Sequence, residues 1–232
     1  MIFRQLFDRE SSTYTYLLGS KEGNALLIDP VKEQIPLYLQ LLEELNLKIA
    51  IAVDTHVHAD HVTALGGLRD ETGCVTMMGE QTGAACVSET FRHGDIITVD
   101  ELSLSVLYTP GHTDDSYCLY FKTPEGDRVF TGDTLLIRGT GRTDFQNGDA
   151  AAQYQSLHAH LLTLPDTTWV YPGHDYKGWT VSTIGEEKRF NPRLQVSNVD
   201  EYVSLMANLN LPNPAQMDVA VPANLQCGKV TS

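Results

Sequence analysis

Three histidines and one aspartate fall within six consecutive positions of this chain, in the segment His56-Val57-His58-Ala59-Asp60-His61. Neutral imidazole and carboxylate groups are common ligands of divalent transition metals. Side chains alternate along an extended segment, so His56, His58 and Asp60 point to one side, and His61 can turn back at the start of a following helix. The spacing therefore predicts a metal site.

Four segments share one design, in which a predicted strand is followed by a turn or short loop and then by a potential metal ligand. Three of these connections contain Gly or Pro, which fix the direction of the next side chain. The strands are Ile49–Val53, Leu102–Tyr108, Arg128–Thr131 and Thr168–Tyr171, and the ligands after them are the His56–His61 segment, His112, Asp133 and His174. Ligands delivered from four strand ends can meet at one edge of a sheet. Taken singly, each of the last three is more typical of an ordinary polar side chain.

Strands and helices are mixed in both halves of the chain. Apolar spacing predicts amphipathic helices over Gln34–Leu45 and Ala150–Leu164, and a third over His61–Thr72, capped by Asp60. The last ten or so residues have the character of a tail. No segment resembles a linker, so we expect a single domain over residues 1–232 of the α/β (or α+β) class.

Composition limits the partners of the protein. A net charge of -14 disfavours nucleic acid and anionic membranes, and no apolar run approaches the roughly 18 residues of a membrane span. The charged first residues differ from a signal peptide. Four widely spaced cysteines, at positions 74, 86, 118 and 227, are interpreted as free thiols of a reducing compartment. We therefore expect a cytoplasmic protein.

Taken together, the motif H-x-H-x-D-H and the later His112, Asp133 and Gly173-His174 resemble the metallo-β-lactamase superfamily. The resemblance covers most of the chain. It implies a four-layer αββα sandwich with a metal in a shallow groove at one edge of its two sheets.

The bare number of ligands favours two metals. Two ions about 3.5–4 Å apart activate water for hydrolysis, and this arrangement resembles glyoxalase II, a thioesterase that acts on glutathione thioesters. In this alternative one ion is held by His56, His58 and His112, the other by Asp60, His61 and His174, and Asp133 bridges them.

Other segments resemble the persulfide dioxygenase family instead. They are Gly139–Gln146, Tyr171–Tyr176, Thr180–Thr183, Asn191–Leu194, and Val221–Asn224 followed by Cys227. Fewer than 60 residues follow His174, whereas a resemblance to glyoxalase II would imply a helical C-terminal extension. Gly173 stands where many members of the persulfide dioxygenase family have alanine.

The dioxygenase resemblance implies one Fe(II) per chain, held by His56, His112 and Asp133 as a facial triad with open positions. The implied reaction oxidises glutathione persulfide with O₂ and yields sulfite and glutathione, which Zn²⁺ could not support because it has no redox chemistry. The remaining ligand-type side chains then orient ligands and water. They are His58, Asp60, His61 and His174.

Glutathione has two carboxylates, and guanidinium groups bind carboxylates bidentately. We therefore predict Arg142 and Arg193 as substrate-binding residues, with hydroxyl contacts from Tyr176 and Thr113. Cys227 matches a family cysteine near the pocket and is equally typical of a buried packing residue. The family also suggests a homodimer. A third hypothesis, a non-catalytic binding module with this fold, is disfavoured by the intact ligands.

Overall fold

The computed structural model describes residues 1–211 and 216–229. Within this part, the chain forms two six-stranded sheets and six α-helices. The described residues fall into two compact units. The first contains Met1–Phe91, Ile96–Ser103 and residues 216–229, and the second contains Arg92–Asp95 and residues 104–211. The expectation of a single domain over residues 1–232 stays a prediction.

The first sheet is mixed and has the strand order β1 to β6. The first three strands pair antiparallel and the next three pairings are parallel. The strands are β1 (Ile2–Asp8), β2 (Thr13–Gly19), β3 (Asn24–Ile28), β4 (Lys48–Val53), β5 (Val75–Gly79) and β6 (Glu89–Phe91). Parallel strands with both faces buried are expected to be continuously apolar, and β3 shows this in its fully buried residues Ala25–Ile28.

Three helices belong to the first unit: α1 (Ile35–Glu44), α2 (Leu65–Thr72) and α6 (Met217–Asn224). Helix α1 buries Tyr38 and Leu42, four residues apart, as the amphipathic pattern predicts. Both side chains join a core with Leu17, Leu27 and other apolar residues of the sheet.

The second sheet is also mixed and has the order β12-β11-β10-β9-β8-β7. Its strands are β7 (Ile96–Val99), β8 (Leu102–Tyr108), β9 (Tyr117–Phe121), β10 (Arg128–Gly132), β11 (Trp169–Pro172) and β12 (Ser182–Thr183). The helices of the second unit are α3 (Ala150–Ser156, continued by a π-helical turn over Leu157–Leu161), α4 (Ile184–Phe190) and α5 (Val199–Ala207).

Most predicted elements are confirmed within a few residues, with five differences. Strands β1, β6 and β12 were not predicted. Helix α2 begins at Leu65 rather than His61, because Asp60 bonds to neighbouring side chains and does not cap a helix. The segment interpreted as a tail includes the end of α6, and Asn224 there is fully buried.

The prediction of four free thiols is wrong for two of the cysteines. Cys86 and Cys227 form a disulfide, with their Cα atoms 5.9 Å apart. Cys74 and Cys118 are buried free thiols. The two bonded residues are 141 positions apart, and sequence alone does not reveal such connectivity.

Within the described residues, none of the helices combines the length and the apolar character that crossing a bilayer demands.

Candidate functional site

A buried carboxylate, that of Asp29, organises the histidine segment of the first unit. Asp29 directly follows β3 and has a φ of 51°, a left-handed conformation that Asp and Asn tolerate better than most residues. Its Oδ1 accepts a hydrogen bond from the Thr55 backbone N–H at 2.7 Å, and its Oδ2 accepts one from the Thr55 hydroxyl at 3.0 Å. This carboxylate therefore fixes the turn by which β4 enters the histidine segment.

Thr55 connects Asp29 to His56 by hydrogen bonds. Because the Thr55 hydroxyl donates its proton to Asp29, its oxygen is left to accept from His56 Nδ1, which lies 3.0 Å away. A proton on Nδ1 leaves Nε2 of a neutral imidazole as the acceptor. This is how a metal-binding histidine is usually held, with one ring nitrogen engaged by the protein and the other presented to the metal.

His58 is fully buried and also faces Asp29, with Nε2 3.3 Å from Oδ1. Burial alone would lower the pKa of His58, but the carboxylates of Asp29, Asp54 and Asp60 outweigh it and raise the pKa to about 9. The contact with Asp29 suits an orienting role for His58 better than direct ligation.

Asp60 and His61 bond to each other and to the start of β2. Asp60 Oδ2 lies 2.8 Å from His61 Nδ1 and accepts a hydrogen bond from the Thr13 hydroxyl at 2.9 Å. The ligand atoms of His58, Asp60 and His61 lie within 4.8 Å of one another, and Asp29, Asp54 and His58 form a second such group. The first unit therefore carries His and Asp groups with the composition and spacing of metal ligands.

His112 and Asp133 lie together in the second unit. His112 Nδ1 is 2.7 Å from the backbone carbonyl of Arg142, and a carbonyl can only accept, so Nδ1 carries the proton. His112 Nε2 then faces Asp133 Oδ2 at 3.6 Å. An imidazole lone pair facing a carboxylate oxygen at this distance suits a cation between them, so the donor set fits a metal.

His174 holds the other carboxylate oxygen of Asp133. Its Nδ1 lies 2.7 Å from Asp133 Oδ1, and His174 is 2% exposed. The bond fixes the direction in which Oδ2 points. This is the contact that an orienting role for His174 requires.

The glycine-rich segment after β10 owes its composition to close packing around these side chains. Gly141 N–H donates to the Asp133 carbonyl at 2.7 Å. A Cβ at position 141 would lie 2.3 Å from that carbonyl oxygen and 2.7 Å from His112 Nδ1, so only glycine fits. The segment thus places the Arg142 carbonyl against His112.

Arg193 is a half-buried guanidinium that has no carboxylate among its bonding partners in the described part of the chain. It donates to the carbonyl and the hydroxyl of Thr140. Burial lowers its pKa, partly offset by Tyr202. A desolvated cation that bonds only neutral oxygens still has capacity for an anion.

Arg142 and Thr113, two other predicted substrate contacts, have bonding partners within the protein. The Arg142 side chain is already bound bidentately to Asp144 at 2.7 and 2.8 Å, and it stacks on Phe145. Thr113 is fully buried, and its hydroxyl lies 2.7 Å from that of Ser116. Both side chains therefore have partners within the protein, and their contact with the substrate stays a prediction. The backbone carbonyl of Arg142 contacts His112.

Tyr176 and Cys227 differ sharply in exposure. Tyr176 is 72% exposed, and its ring lies nearly parallel to that of His174 with centroids 6.0 Å apart. Cys227 is 1% exposed and bound to Cys86. Cys227 is therefore a buried disulfide sulfur and not a free thiol, and its place near the substrate stays a prediction.

Sequence reasoning missed Asp29, Thr55 and Asn224. Asp29 had the same signal as the predicted ligands, since it is an acidic residue directly after a strand and before Pro30. Thr55 stands within the histidine segment but resembles any strand-end threonine. Asn224 lies more than 160 residues from its partners and gave no local signal.

Comparison with known proteins identifies relatives of this chain in both sequence and structure. The chain matches the metallo-beta-lactamase superfamily over residues 8–174. It is 47% identical to persulfide dioxygenase ETHE1, mitochondrial, of Homo sapiens, over 100% of this chain and 90% of that protein. It superposes on the crystal structure of ETHE1 from Myxococcus xanthus with a TM-score of 0.95 and 56% identity, over 99% of this chain and 100% of that one.

A more distant relative is a probable hydroxyacylglutathione hydrolase of Schizosaccharomyces pombe, 30% identical over 88% of this chain and 89% of that protein. The matches confirm the α/β class and the metallo-β-lactamase fold predicted from the sequence. This fold, together with the His and Asp groups described above, implies that the protein binds a metal.

We predict that Asp29→Asn weakens metal binding by roughly 10- to 100-fold, the usual effect of removing a partner that orients a metal-ligating histidine. Asparagine accepts the left-handed backbone, so the change removes the carboxylate without adding strain. Asp100→Asn is a matched control, because Asp100 has the same φ of 51° and bonds Ser20 and Asn24 instead. Anaerobic titration of the metal-free variants with Fe(II) measures the effect. Equal affinities for the two variants would contradict the role of Asp29.

Proposed function

This chain belongs to the persulfide dioxygenase family of the metallo-β-lactamase superfamily, and we propose that it is an Fe(II)-dependent dioxygenase that oxidises glutathione persulfide to sulfite and glutathione. The observation that carries the proposal is that similarity to persulfide dioxygenases extends over the whole chain, beyond the region that holds the ligand motifs. In the balanced reaction, a persulfide and O₂ give a sulfinate, and water then releases sulfite and the thiol.

The proposed iron ligands are His56, His112 and Asp133. Two observations support this choice. Each histidine has its Nδ1 engaged by the protein, by Thr55 or by the Arg142 carbonyl, and so presents Nε2. A two-histidine, one-carboxylate set is typical of non-haem Fe(II) oxygenases, in which the ion supplies redox chemistry and open positions for substrates.

The remaining polar residues keep this set in order. His174 bonds Asp133 Oδ1, and Oδ2 of the same carboxylate faces His112 Nε2 at 3.6 Å. His58 contacts Asp29 through Nε2, 3.3 Å from Oδ1, and this contact orients the ring within the histidine segment.

We assign the glutathione carboxylate to Arg193, and a hydroxyl contact to Tyr176. Two of the segments that carry the family resemblance bond to each other here, because Arg193 donates to Thr140 and Asn191 Nδ2 donates to the Gly139 carbonyl at 2.9 Å. The position of Arg193 is therefore set by the same segment that orients His112.

The alternative is a dinuclear thioester hydrolase of the glyoxalase II type. The observation in its favour is the group formed by His58, Asp60 and His61, whose ligand atoms are close enough to share an ion. Against it, Asp60 and His61 are bonded to each other, and one oxygen of Asp133 is already bound by His174.

We further propose a cytoplasmic homodimer that binds neither nucleic acid nor membrane. The charge of -14 supports the last two points, because it repels polyanions. The cytoplasmic assignment loses one of its two grounds, since two of the four cysteines form a disulfide. The test is the molecular mass in solution together with cell fractionation.

Oxygen uptake by the iron-loaded protein tests the proposed reaction. We expect O₂ consumption that depends on glutathione persulfide and matches sulfite formation one to one. The zinc-loaded protein is the control and should consume none, because Zn²⁺ is redox-inactive. Two metals per chain and rapid cleavage of a glutathione thioester would instead establish the hydrolase.

Two alanine variants separate the two metal arrangements. His112→Ala should abolish iron retention, because it removes a direct ligand. His174→Ala should retain one iron per chain and lose only part of the activity, because it removes the bond that orients Asp133. Metal content by elemental analysis decides this. A wild-type content of two metals that falls to one in His174→Ala would contradict the single-iron site.

Arg193→Gln should raise the KM for glutathione persulfide roughly 10- to 100-fold with little change in kcat, since a charge-assisted contact is worth about 1.5–3 kcal/mol. Arg189→Gln is the control, because Arg189 is exposed on α4. A persulfide without carboxylates should have the same KM with the wild type and with Arg193→Gln. If the KM for glutathione persulfide is unchanged in Arg193→Gln, this residue does not bind the substrate.

A further inference from the structure

The histidine segment of the first unit is held by one side chain from the far end of the chain. Asn224, at the end of α6, is fully buried. Its Oδ1 accepts from the Thr63 N–H at 2.8 Å, and its Nδ2 donates to the carbonyls of His58 and His61, both at 2.9 Å. These backbone groups lie outside regular secondary structure, so a side chain must satisfy them.

The residues after Asn224 are packed against the same region. Gly66 N–H donates to the Cys227 carbonyl at 3.0 Å, and a Cβ at position 66 would lie 2.4 Å from that oxygen. The Lys32 ammonium group donates to the Gly228 carbonyl at 2.7 Å. These contacts hold the turn that directly follows Asn224 against the region that Asn224 contacts.

The Cys86–Cys227 disulfide is the covalent bond that keeps the turn there. It joins the C-terminal turn to the residues after β5, across 141 positions of sequence. Without it, the turn is held by hydrogen bonds and packing alone. Cys86 is the more exposed partner, because Cys227 is 1% exposed and Cys86 is half-buried.

We propose that Cys86 and Cys227 are a redox-responsive pair, whose disulfide holds Asn224 against the histidine segment and thereby controls how firmly the metal is retained. Asn224 is a positioning residue that acts through the His58 and His61 backbone. The disulfide and Asn224 hold the histidine segment whether or not a metal is bound. The effect on metal retention rests on the proposed function.

The redox step is an exchange with a small thiol such as glutathione. Its thiolate attacks the Cys86 sulfur, the Cys86–Cys227 bond breaks, and Cys227 leaves as a thiolate that takes up a proton. A second small thiolate attacks the small-molecule sulfur of the mixed disulfide and releases Cys86 as a thiol. Two thiols are oxidised to their disulfide while the protein disulfide is reduced, and that disulfide drives the reverse reaction.

Hydrogen exchange of the full-length, metal-free protein tests the first part. Reduction should speed exchange of the Thr63 and Gly66 amides roughly tenfold, because both depend on the C-terminal turn, and leave the amides of β3 unchanged. Cys86→Ser should behave in the same way without a reductant. Cys74→Ala is the control, because it removes a buried thiol that forms no disulfide.

Equal exchange at Thr63 and Gly66 before and after reduction would overturn the proposal. So would four titratable thiols in protein equilibrated with glutathione disulfide, where we expect two. These readouts need no metal. If the exchange and thiol results are as expected but no oxygen is consumed, the redox pair is supported and the proposed function is wrong. If oxygen is consumed but exchange does not change on reduction, the proposed function is supported and the redox pair is wrong.

Iron release to a chelator tests the link to the metal. Release should be faster from the reduced protein and from Cys86→Ser than from the oxidised wild type. Asn224→Asp keeps the acceptor for Thr63 but lacks both donors, and it should speed release with the disulfide intact. If release from Asn224→Asp equals that of the wild type, Asn224 does not carry the effect.

Discussion

A buried hydrogen-bond network centred on one carboxylate determines how the first unit presents its histidines. Asp29 takes both donors of Thr55, and this leaves the Thr55 oxygen to accept from His56. The Thr55 hydroxyl has one proton to donate and gives it to Asp29. Asp29 therefore sets the tautomer of the His56 ring, which it does not contact. The same carboxylate lies 3.3 Å from His58 Nε2 and raises the pKa of His58.

The second unit reaches the same result with backbone groups. The Arg142 carbonyl engages His112 Nδ1, and the glycine at position 141 lets the chain pass close enough to do so. Thr140, in the same segment, contacts Arg193. Arg193, the proposed substrate-binding residue, is thus hydrogen-bonded to the segment that orients His112, a proposed metal ligand. This contact is a physical reason for the two motifs to occur together.

Local patterns in the sequence predicted most of the strands and helices. Strand ends followed by Gly or Pro turns identified His112, Asp133 and His174 as candidates, and the structure brings these three side chains together. The chemistry of Arg142 could not be read in this way. Its side chain suggested a contact with a carboxylate of glutathione. In the structure that side chain binds the carboxylate of Asp144, and the backbone carbonyl of Arg142 contacts His112.

Long-range partners were out of reach of the sequence. Asn224 bonds residues more than 160 positions away, and the disulfide of Cys227 depends on the path of the whole first unit. Asp29 was missed for a different reason, since its importance depends on a left-handed backbone that brings both carboxylate oxygens to Thr55. In each case the deciding quantity is a three-dimensional distance that no local pattern encodes.

The claim that the protein itself fixes the orientation of His56 and His112 is tested most directly by nitrogen NMR of the metal-free protein. At a pH where both imidazoles are neutral, the spectra should show the proton on Nδ1 of each ring and an unprotonated Nε2. A proton on Nε2 of either ring would contradict this account.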